Sequence, residues 1–220
     1  MRALPELLDF VRTRTRAAPV PFVPELTMYQ ATELTPLWHA TAEQLDGWDS
    51  APFWAFPWAG GQALARYILD HAALVRGLRV FDFATGGGVV ALAAARAGAG
   101  RVVASDLDPF CEAAIQLNAG LNEVEVEFRA GDSIGQPLRD FDVVLAGDLF
   151  YESRLAEEGL AWLSRLATRG ARALAGDPGR IYSPAGGLAE IACYDVPTSP
   201  EIEKGSVLRT RVLEVLAAAG

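Results

Sequence analysis

The sequence contains few of the residues that build metal centres and disulfide scaffolds. Among its 220 residues are two cysteines, Cys111 and Cys193, and two histidines. The cysteines lie far apart and form no CxxC motif, and no cysteine or histidine has the spacing of a ligand cluster. We therefore expect no metal site and no disulfide framework, but two free thiols in a reducing compartment.

Long apolar runs and an excess of basic residues are also missing. No stretch approaches the roughly 18 apolar residues that a membrane span needs. The N-terminal segment is interrupted by Pro5, Glu6 and Asp9, unlike a signal peptide. The formal charge is −9, so we expect no binding to nucleic acid or to an anionic membrane. We expect a cytoplasmic monomer, or a protein of the mitochondrial matrix if the source is eukaryotic.

Apolar residues make up 51% of the chain, which is enough to bury a full core. From residue 78 onward, short apolar runs alternate with helical patterns, which predicts a parallel sheet with helices on both faces. The predicted strands are 78–83, 101–105, 124–129, 141–146, 171–175, 190–196 and 207–215. The last two are joined without a helix and predict an antiparallel hairpin at the sheet edge. The fold class is therefore α/β, Rossmann-like, with a seven-stranded, mostly parallel sheet.

The first 50 residues depart from this alternation. Residues 3–16 predict a short amphipathic helix, residues 17–30 an irregular segment with three prolines, and residues 36–46 a second helix. We expect residues 1–50 to form a helical extension that recognises the substrate or covers the cofactor, and residues 51–220 to form the main domain.

A glycine-rich turn follows the first strand of the predicted sheet. Gly86, Gly88 and Ala91 fit the G-x-G-x-x-G/A pattern of dinucleotide-binding proteins, with Asp106 at the distance of a ribose-binding acid. Asp82 argues against a dinucleotide, because a carboxylate at this turn would repel the pyrophosphate that such turns bind. S-adenosylmethionine carries an ammonium and a sulfonium and no phosphate, so Asp82 favours it as the cofactor.

Further acids follow the neighbouring strands. Asp106 ends the second strand, where it can accept hydrogen bonds from both ribose hydroxyls, with Asp108 as the nearby alternative. Asp132 follows the third strand and can reach an adenine amino group. Because the carboxyl ends of adjacent parallel strands share one edge, we expect Asp82, Asp106 and Asp132 to line one cofactor cleft. The alternative for each acid alone is a solvated loop residue or a helix cap.

Asp148-Leu-Phe-Tyr151 follows the fourth strand, where a substrate would lie beside the methyl group of the cofactor. A carboxylate binds a cationic amine through charge-assisted hydrogen bonds, and desolvation lowers the pKa of the amine and frees its lone pair for attack. We expect Asp148 to orient the amine and Tyr151 to shape its channel. The alternative is a helix N-cap followed by a packed aromatic ring.

Six sequence blocks occur in the order typical of one known family. They are PFWAFPWAGGQALARYILD, DFATGGG, ASDLDP, LNAGLN, AGDLFYESRLAE and GDPGR. Through these blocks, residues 50–215 resemble the seven-β-strand protein lysine methyltransferases, in particular the branch that modifies the electron transfer flavoprotein β-subunit. The resemblance implies a class I methyltransferase fold, S-adenosylmethionine as the cofactor and the β-subunit as the protein substrate. Some bacterial relatives also modify a ribosomal protein.

The resemblance also implies roles for individual residues. It assigns the D-x-x-Y motif to Asp148 and Tyr151 and places Trp58 in the cofactor cleft. Ala84 stands where the family has the first glycine of D/E-x-G-x-G-x-G, a change that we expect to be tolerated if Ala84 keeps a strand-like φ. Arg180, in GDPGR, either positions the substrate or braces its own turn.

Three other functions stay open. The same site would also suit methyl transfer to another protein, such as a ribosomal protein, or to a small amine. A nicotinamide-dinucleotide oxidoreductase is a second alternative, against which Asp82 and the lack of a hydride-transfer constellation argue. A third is a pseudoenzyme that binds S-adenosylmethionine, against which the intact Asp148–Tyr151 motif argues.

The cofactor assignment can be tested by calorimetry. We expect S-adenosylhomocysteine, the demethylated form of the cofactor, to bind, and NADH not to bind, because Asp82 attracts an ammonium group and repels a pyrophosphate. If NADH binds and S-adenosylhomocysteine does not, the cofactor assignment is wrong.

Overall fold

The computed structural model describes residues 3–31, 36–37 and 51–218. The helices are α1 (Leu4–Arg14), α2 (Ala59–Asp70), α3 (Val89–Arg96), α4 (Pro109–Asn122) and α5 (Leu160–Thr168). The strands are β1 (Arg16–Val20), β2 (Val23–Gln30), β3 (Arg79–Phe83), β4 (Arg101–Asp106), β5 (Glu127–Ala130), β6 (Val143–Ala146), β7 (Arg172–Asp177), β8 (Leu188–Pro197) and β9 (Val207–Val215). Most of the predicted helix 36–46 lies outside the described residues. No helix in the described part of the chain is long and apolar enough to cross a membrane.

Seven strands form the main sheet, in the order β5-β4-β3-β6-β7-β9-β8. Strands β3 to β7 pair in parallel, and β9 runs antiparallel to both β7 and β8. The predicted α/β fold with a terminal hairpin is confirmed, and each predicted strand overlaps an observed one. The chain runs outward from β3 to β5 and then returns to β6 on the other side of β3. Such a reversal leaves a crevice at the carboxyl ends of β3 and β6, where open sheets bind ligands.

Apolar side chains alternate between the two faces of the sheet. Val80 and Val143 pack in the layer that includes α2, α3 and α4. Their neighbours Phe81 and Val144 pack in the opposite layer, with Trp162 of α5. Because both faces are covered, the parallel strands are apolar at successive positions. This explains the continuous apolar runs from which they were predicted.

Residues 17–30 differ from the prediction, because they form an antiparallel hairpin of β1 and β2 instead of an irregular segment. Arg16 lies opposite Gln30, and the register shifts between Pro19 and Val20. A hairpin paired only with itself has open edges, where a proline can be accommodated without removing a ladder hydrogen bond. Residues 4–30 are therefore a helix followed by a hairpin, and the prediction of an irregular segment at residues 17–30 is wrong.

Two side-chain amides of α4 attach this hairpin to the main sheet. Asn118 Oδ1 accepts from the Tyr29 N–H at 2.7 Å, and its Nδ2 donates to the Gly87 carbonyl at 2.9 Å. Asn122 Oδ1 accepts from the Thr27 N–H at 2.9 Å, and its Nδ2 donates to the Thr27 carbonyl at 2.6 Å. Asn118 therefore links the hairpin directly to the glycine-rich turn.

Loss of the Asn118 amide should destabilise the protein. Asn118→Ala removes the partners of two backbone groups at a fully buried position, and we expect the free energy of unfolding to fall by about 2 kcal/mol. Gln116→Ala, at an exposed position of the same helix, should change it by less than about 0.5 kcal/mol. Urea unfolding measures both variants, and equal effects would show that the amide link is not stabilising.

Candidate active site

A cavity of about 570 Å³ opens in the crevice at the carboxyl edge of the sheet. The residues singled out from the sequence that line it are Trp58, Asp82, Ala84, Gly86, Asp106, Asp108, Asp132, Asp148, Tyr151 and Arg180. Gly88 lies behind the turn, where its φ is +88° and a Cβ would come within 3.0 Å of Ile115. The structure thus brings the predicted cofactor residues and the Asp148–Tyr151 motif into one cavity.

Asp82 is fully buried at the end of β3. Its Oδ2 accepts hydrogen bonds from the Thr85 hydroxyl and from the Ala91 N–H in α3. Its Oδ1 is buried and has no partner among the described residues. Burial raises the pKa of Asp82 to about 7, although the two hydrogen bonds oppose the shift. A buried carboxylate oxygen without a partner, on the wall of a cavity, is suited to a cationic ligand.

Ala84 has φ +51°, so the expectation of a strand-like φ at this residue is wrong. A left-handed backbone costs a residue with a Cβ about 1 kcal/mol. Hydrogen bonds hold the turn in this shape, from the Thr85 N–H to the Ser105 carbonyl at 3.2 Å and from the Gly88 N–H to the Thr85 carbonyl at 2.9 Å. The surrounding turn therefore imposes on Ala84 the conformation for which the family has glycine.

Asp106 and Asp108 have different partners. Asp106 Oδ2 accepts from the Gly86 N–H at 2.9 Å, and its Oδ1 accepts from the Asp108 N–H at 3.1 Å. Asp108 caps α4, because its Oδ1 accepts from the Phe110 N–H at 2.9 Å. The capping bond gives Asp108 a structural role. Asp106 lies beside the glycine-rich turn at the end of β4, which favours it as the ribose acceptor.

Asp132 lies at the outer end of the cavity. Its Oδ1 accepts from the Ile134 N–H at 2.9 Å, and its Oδ2 pairs with Arg154 at 3.0 Å. Behind it, the hydroxyls of Ser133 and Ser105 are hydrogen-bonded at 2.8 Å. The contact of Asp132 with an adenine amino group stays a prediction.

Aromatic rings form another wall of the cavity. Phe53 makes edge contacts with Trp58 and Tyr151, with 5.5 Å between ring centroids in each pair. The Trp58 indole N–H donates to the Phe53 carbonyl at 2.9 Å, which fixes the ring. Burial, followed by the nearby acids, raises the pKa of Tyr151 to about 12. Its phenol is therefore neutral at physiological pH, and a proton-accepting role for Tyr151 is disfavoured.

Asp148 accepts three hydrogen bonds and forms an ion pair with Arg180. Oδ2 accepts from the N–H groups of Gly60 at 2.6 Å and Gly61 at 3.2 Å, at the start of α2. Oδ1 accepts from Nε of Arg180 at 2.7 Å, and Nη2 of Arg180 lies 2.6 Å from the same oxygen as an ion pair. Arg180 and the start of α2 therefore contact both oxygens of Asp148. Burial raises its pKa to about 6, with Arg180 lowering it and Glu203 raising it.

Arg180 has a second carboxylate partner that sequence reasoning missed. Its Nη1 donates to Glu203 Oε2 at 2.7 Å and its Nη2 to Glu203 Oε1 at 2.9 Å. Its guanidinium carbon lies 5.6 Å from the centroid of the Trp58 ring. Arg211, and not the Arg180 side chain, pairs with the Asp177 carboxylate, at 2.6 Å. Of the two roles open to Arg180, the arrangement favours positioning within the site.

Relatives of the chain identify the family. The electron transfer flavoprotein beta subunit lysine methyltransferase of Xenopus laevis is 38% identical over 174 residues, which are 78% of this chain and 70% of that protein. The Homo sapiens protein of the same name is 37% identical over 180 residues, 80% of this chain and 68% of that protein. The chain belongs to this family. This confirms the resemblance seen in the sequence. The match spans about two thirds of the length of these relatives.

Two further comparisons concern the fold of this lysine methyltransferase family. The family model "Ribosomal protein L11 methyltransferase (PrmA)" matches residues 62–150. Magnesium protoporphyrin IX methyltransferase from Synechocystis PCC 6803, solved with bound S-adenosylhomocysteine, matches with a TM-score of 0.52 at 18% identity, over 72% of this chain and 82% of that one. The same enzyme solved with bound S-adenosylmethionine gives 0.51 at 20% identity, over 70% and 77%. The predicted class I methyltransferase fold is confirmed.

The cavity fits S-adenosylmethionine, the cofactor predicted from the sequence. Among the described residues, Asp82 offers a buried oxygen without a partner to an ammonium group, and Asp106 lies beside the glycine-rich turn, where it can accept from ribose hydroxyls. Among residues 3–31, 36–37 and 51–218, no three His, Cys, Asp or Glu side chains are grouped in a way that could hold a metal ion.

The raised pKa of Asp82 predicts a pH-dependent cofactor affinity. Only the ionised carboxylate attracts an ammonium group, so we expect S-adenosylhomocysteine to bind more tightly as the pH rises from 5.5 to 8, by up to about tenfold per unit below the pKa. Asp82→Asn should bind more weakly at pH 8 and respond little to pH. Calorimetry at several pH values measures this, with the exposed Asp140→Asn as the matched control.

The stability of the ligand-free protein should change in the opposite direction. The pKa of Asp82 is higher in the folded chain, at about 7, than its ordinary value of 3.8. The unfolded state therefore releases this proton first, and the contribution of Asp82 to the free energy of unfolding falls as the pH rises from about 4 to about 7.

For the affinity measurements, a wild-type affinity for S-adenosylhomocysteine that does not change with pH would contradict the assigned role of Asp82.

Proposed function

We propose that this chain transfers methyl groups from S-adenosylmethionine to lysine side chains of the electron transfer flavoprotein β-subunit. The observation that carries the proposal is a single cavity in which the strand-end acids of the cofactor cleft meet the Asp148–Tyr151 motif. The family to which the chain belongs is named for this activity.

The cofactor side of the cavity is built to hold a cation close to an incoming amine. When bound, S-adenosylmethionine supplies an electrophilic methyl group on a sulfonium, which a neutral amine attacks in line. Asp82 and Asp106 bind the cofactor and Trp58 covers the cleft. Because these residues lie on strand ends and a rigid turn, the chain accelerates the reaction mainly through proximity and alignment.

On the substrate side, Asp148 orients the lysine amine. Its pKa of about 6 lies far below the ordinary lysine value of about 10.4, so the carboxylate is too weak a base to remove the ammonium proton efficiently. The apolar walls formed by Phe53, Trp58 and Tyr151 lower the pKa of the enclosed amine through desolvation. Asp148 therefore fixes the amine, and the aromatic channel helps to make it nucleophilic.

Exposed apolar side chains beside the cavity favour a protein substrate over a small amine. Ile181 is 80% exposed and Tyr182 45%, although both side chains are largely apolar. The Tyr182 N–H donates to the Phe150 carbonyl at 3.1 Å, which brings this pair next to Tyr151. Apolar surface around a site is typical of protein recognition, and the net charge of −9 favours approach to a basic surface.

A second candidate substrate is a ribosomal protein. The ribosomal protein L11 methyltransferase of Porphyromonas gingivalis is 35% identical over 112 residues, 50% of this chain and 37% of that protein. The flavoprotein β-subunit is the first choice, because the relatives named for it match a larger part of this chain.

Labelled S-adenosylmethionine tests the substrate and the role of Asp148 together. We expect the wild type to label lysines of the recombinant electron transfer flavoprotein β-subunit, as located by mass spectrometry. Asp148→Asn should lose about 100-fold or more in rate, because the amine is no longer oriented by a carboxylate. Its affinity for S-adenosylhomocysteine should stay within about twofold of the wild type, since Asp148 lies at the substrate end of the cavity.

Asp140→Asn, an exposed acid outside the cavity, is the matched control and should keep wild-type activity. Labelling confined to ribosomal protein L11 or to a small molecule would overturn the substrate proposal. An active Asp148→Asn variant would overturn the role of Asp148.

A further inference from the structure

The place expected to bind the substrate cation already holds a cation of the chain itself. A carboxylate next to an aromatic ring face is the combination that binds alkylammonium groups. Asp148 and Trp58 form that combination, and the Arg180 guanidinium occupies it, 2.6 Å from the Asp148 carboxylate and 5.6 Å from the Trp58 ring centroid. A lysine that is to take this position must first displace Arg180, because the guanidinium already lies between Asp148 and Trp58.

Arg180 has a second partner that would keep it in the protein after displacement. Nε donates to Asp148, whereas Nη1 and Nη2 donate side by side to the two oxygens of Glu203. Glu203 is itself anchored, since its side chain is 4% exposed and its Oε1 accepts from the Ala59 N–H at 3.2 Å. The bonds to Asp148 can therefore break while the bidentate pair with Glu203 persists.

We propose that Arg180 is a positioning residue that occupies the place of the target ammonium on Asp148 and withdraws onto Glu203 when the lysine enters. The inference rests on the proposed lysine methyltransferase function and adds a selection step to it. An unpaired buried carboxylate is costly, and the exchange keeps Asp148 paired before and after lysine binding. A neutral side chain gains no ion pair with Asp148 and so cannot replace Arg180, which favours cationic substrates.

Replacing the guanidinium by an amine tests the inference without any substrate protein. In Arg180→Lys, the new amine should lie where the target amine reacts and should be methylated by the variant itself. The amine nitrogen forms a bond to the methyl carbon as the sulfur–carbon bond breaks, S-adenosylhomocysteine leaves and a proton passes to solvent. Incubation with S-adenosylmethionine followed by tandem mass spectrometry should show methylation at residue 180.

Arg154→Lys is the matched control. Arg154 also lines the cavity and pairs with a carboxylate, that of Asp132, at the far end. We expect no methylation at residue 154. Wild-type levels of S-adenosylhomocysteine binding in both variants verify that the cofactor cleft is intact.

Two further variants should change the KM for the flavoprotein β-subunit in opposite directions at pH 8.5. Arg180→Met removes the competitor and should lower KM by about tenfold, the factor that corresponds to one charge-assisted hydrogen bond. Glu203→Gln weakens the partner that receives Arg180 and should raise KM by a similar factor. A merely structural network would raise KM or lower kcat in both variants. The double variant Arg180→Met/Glu203→Gln, in which no competitor is left, should keep the low KM.

The outcomes separate this inference from the proposed function. If residue 180 of Arg180→Lys is methylated but the β-subunit is not, the inference stands and the proposed substrate is wrong. If the β-subunit is methylated, residue 180 is not, and Arg180→Met does not lower KM, the inference is overturned and the function stands.

Discussion

The start of α2 lies so close to the ends of β6 and β7 that no side chain fits between them. A Cβ on Gly60 would come within 2.6 Å of both Asp148 Oδ2 and the Gly176 carbonyl. The close approach points the first N–H groups of the helix at Asp148. Trp58, at the helix start, supplies no capping side chain. Asp148 and Glu203, from distant parts of the chain, cap the helix with carboxylates instead. The position of both carboxylates at the substrate end is tied to this contact.

Asp82 and Asp148, buried carboxylates at the cofactor and substrate ends of the cavity, differ in their hydrogen-bond partners. Burial raises the pKa of both, to about 7 for Asp82 and about 6 for Asp148. Among the described residues, one oxygen of Asp82 has no partner, whereas both oxygens of Asp148 are contacted by Arg180 or by the start of α2. The cofactor end thus attracts a cation from outside, while at the substrate end an incoming cation must compete with an existing one.

The sheet, the glycine-rich turn and the strand-end acids were predictable because each is encoded within a few consecutive residues. The hairpin at residues 17–30 was not, since its prolines indicate a loop and Asn118 and Asn122, which attach it, lie far along the chain. The partners of Asp148 escaped prediction for the same reason. The left-handed φ of Ala84 depends on hydrogen bonds within and beyond its own turn, which a motif does not reveal.

Arg180 places a guanidinium, and not an amine, beside Asp148 in the cavity. Burial opposes its charged form, but the pairs with Glu203 and Asp148 raise its pKa further above an already high value. A guanidinium that never loses its proton has no localised lone pair to attack a methyl group. The enzyme can therefore keep a cationic side chain in its active site without methylating it. Along the whole chain, Lys204 is the sole lysine, and 18 arginines supply the other cationic side chains. Almost all of the positive charge of the enzyme is therefore carried by guanidinium groups, which a site for neutral amines does not methylate.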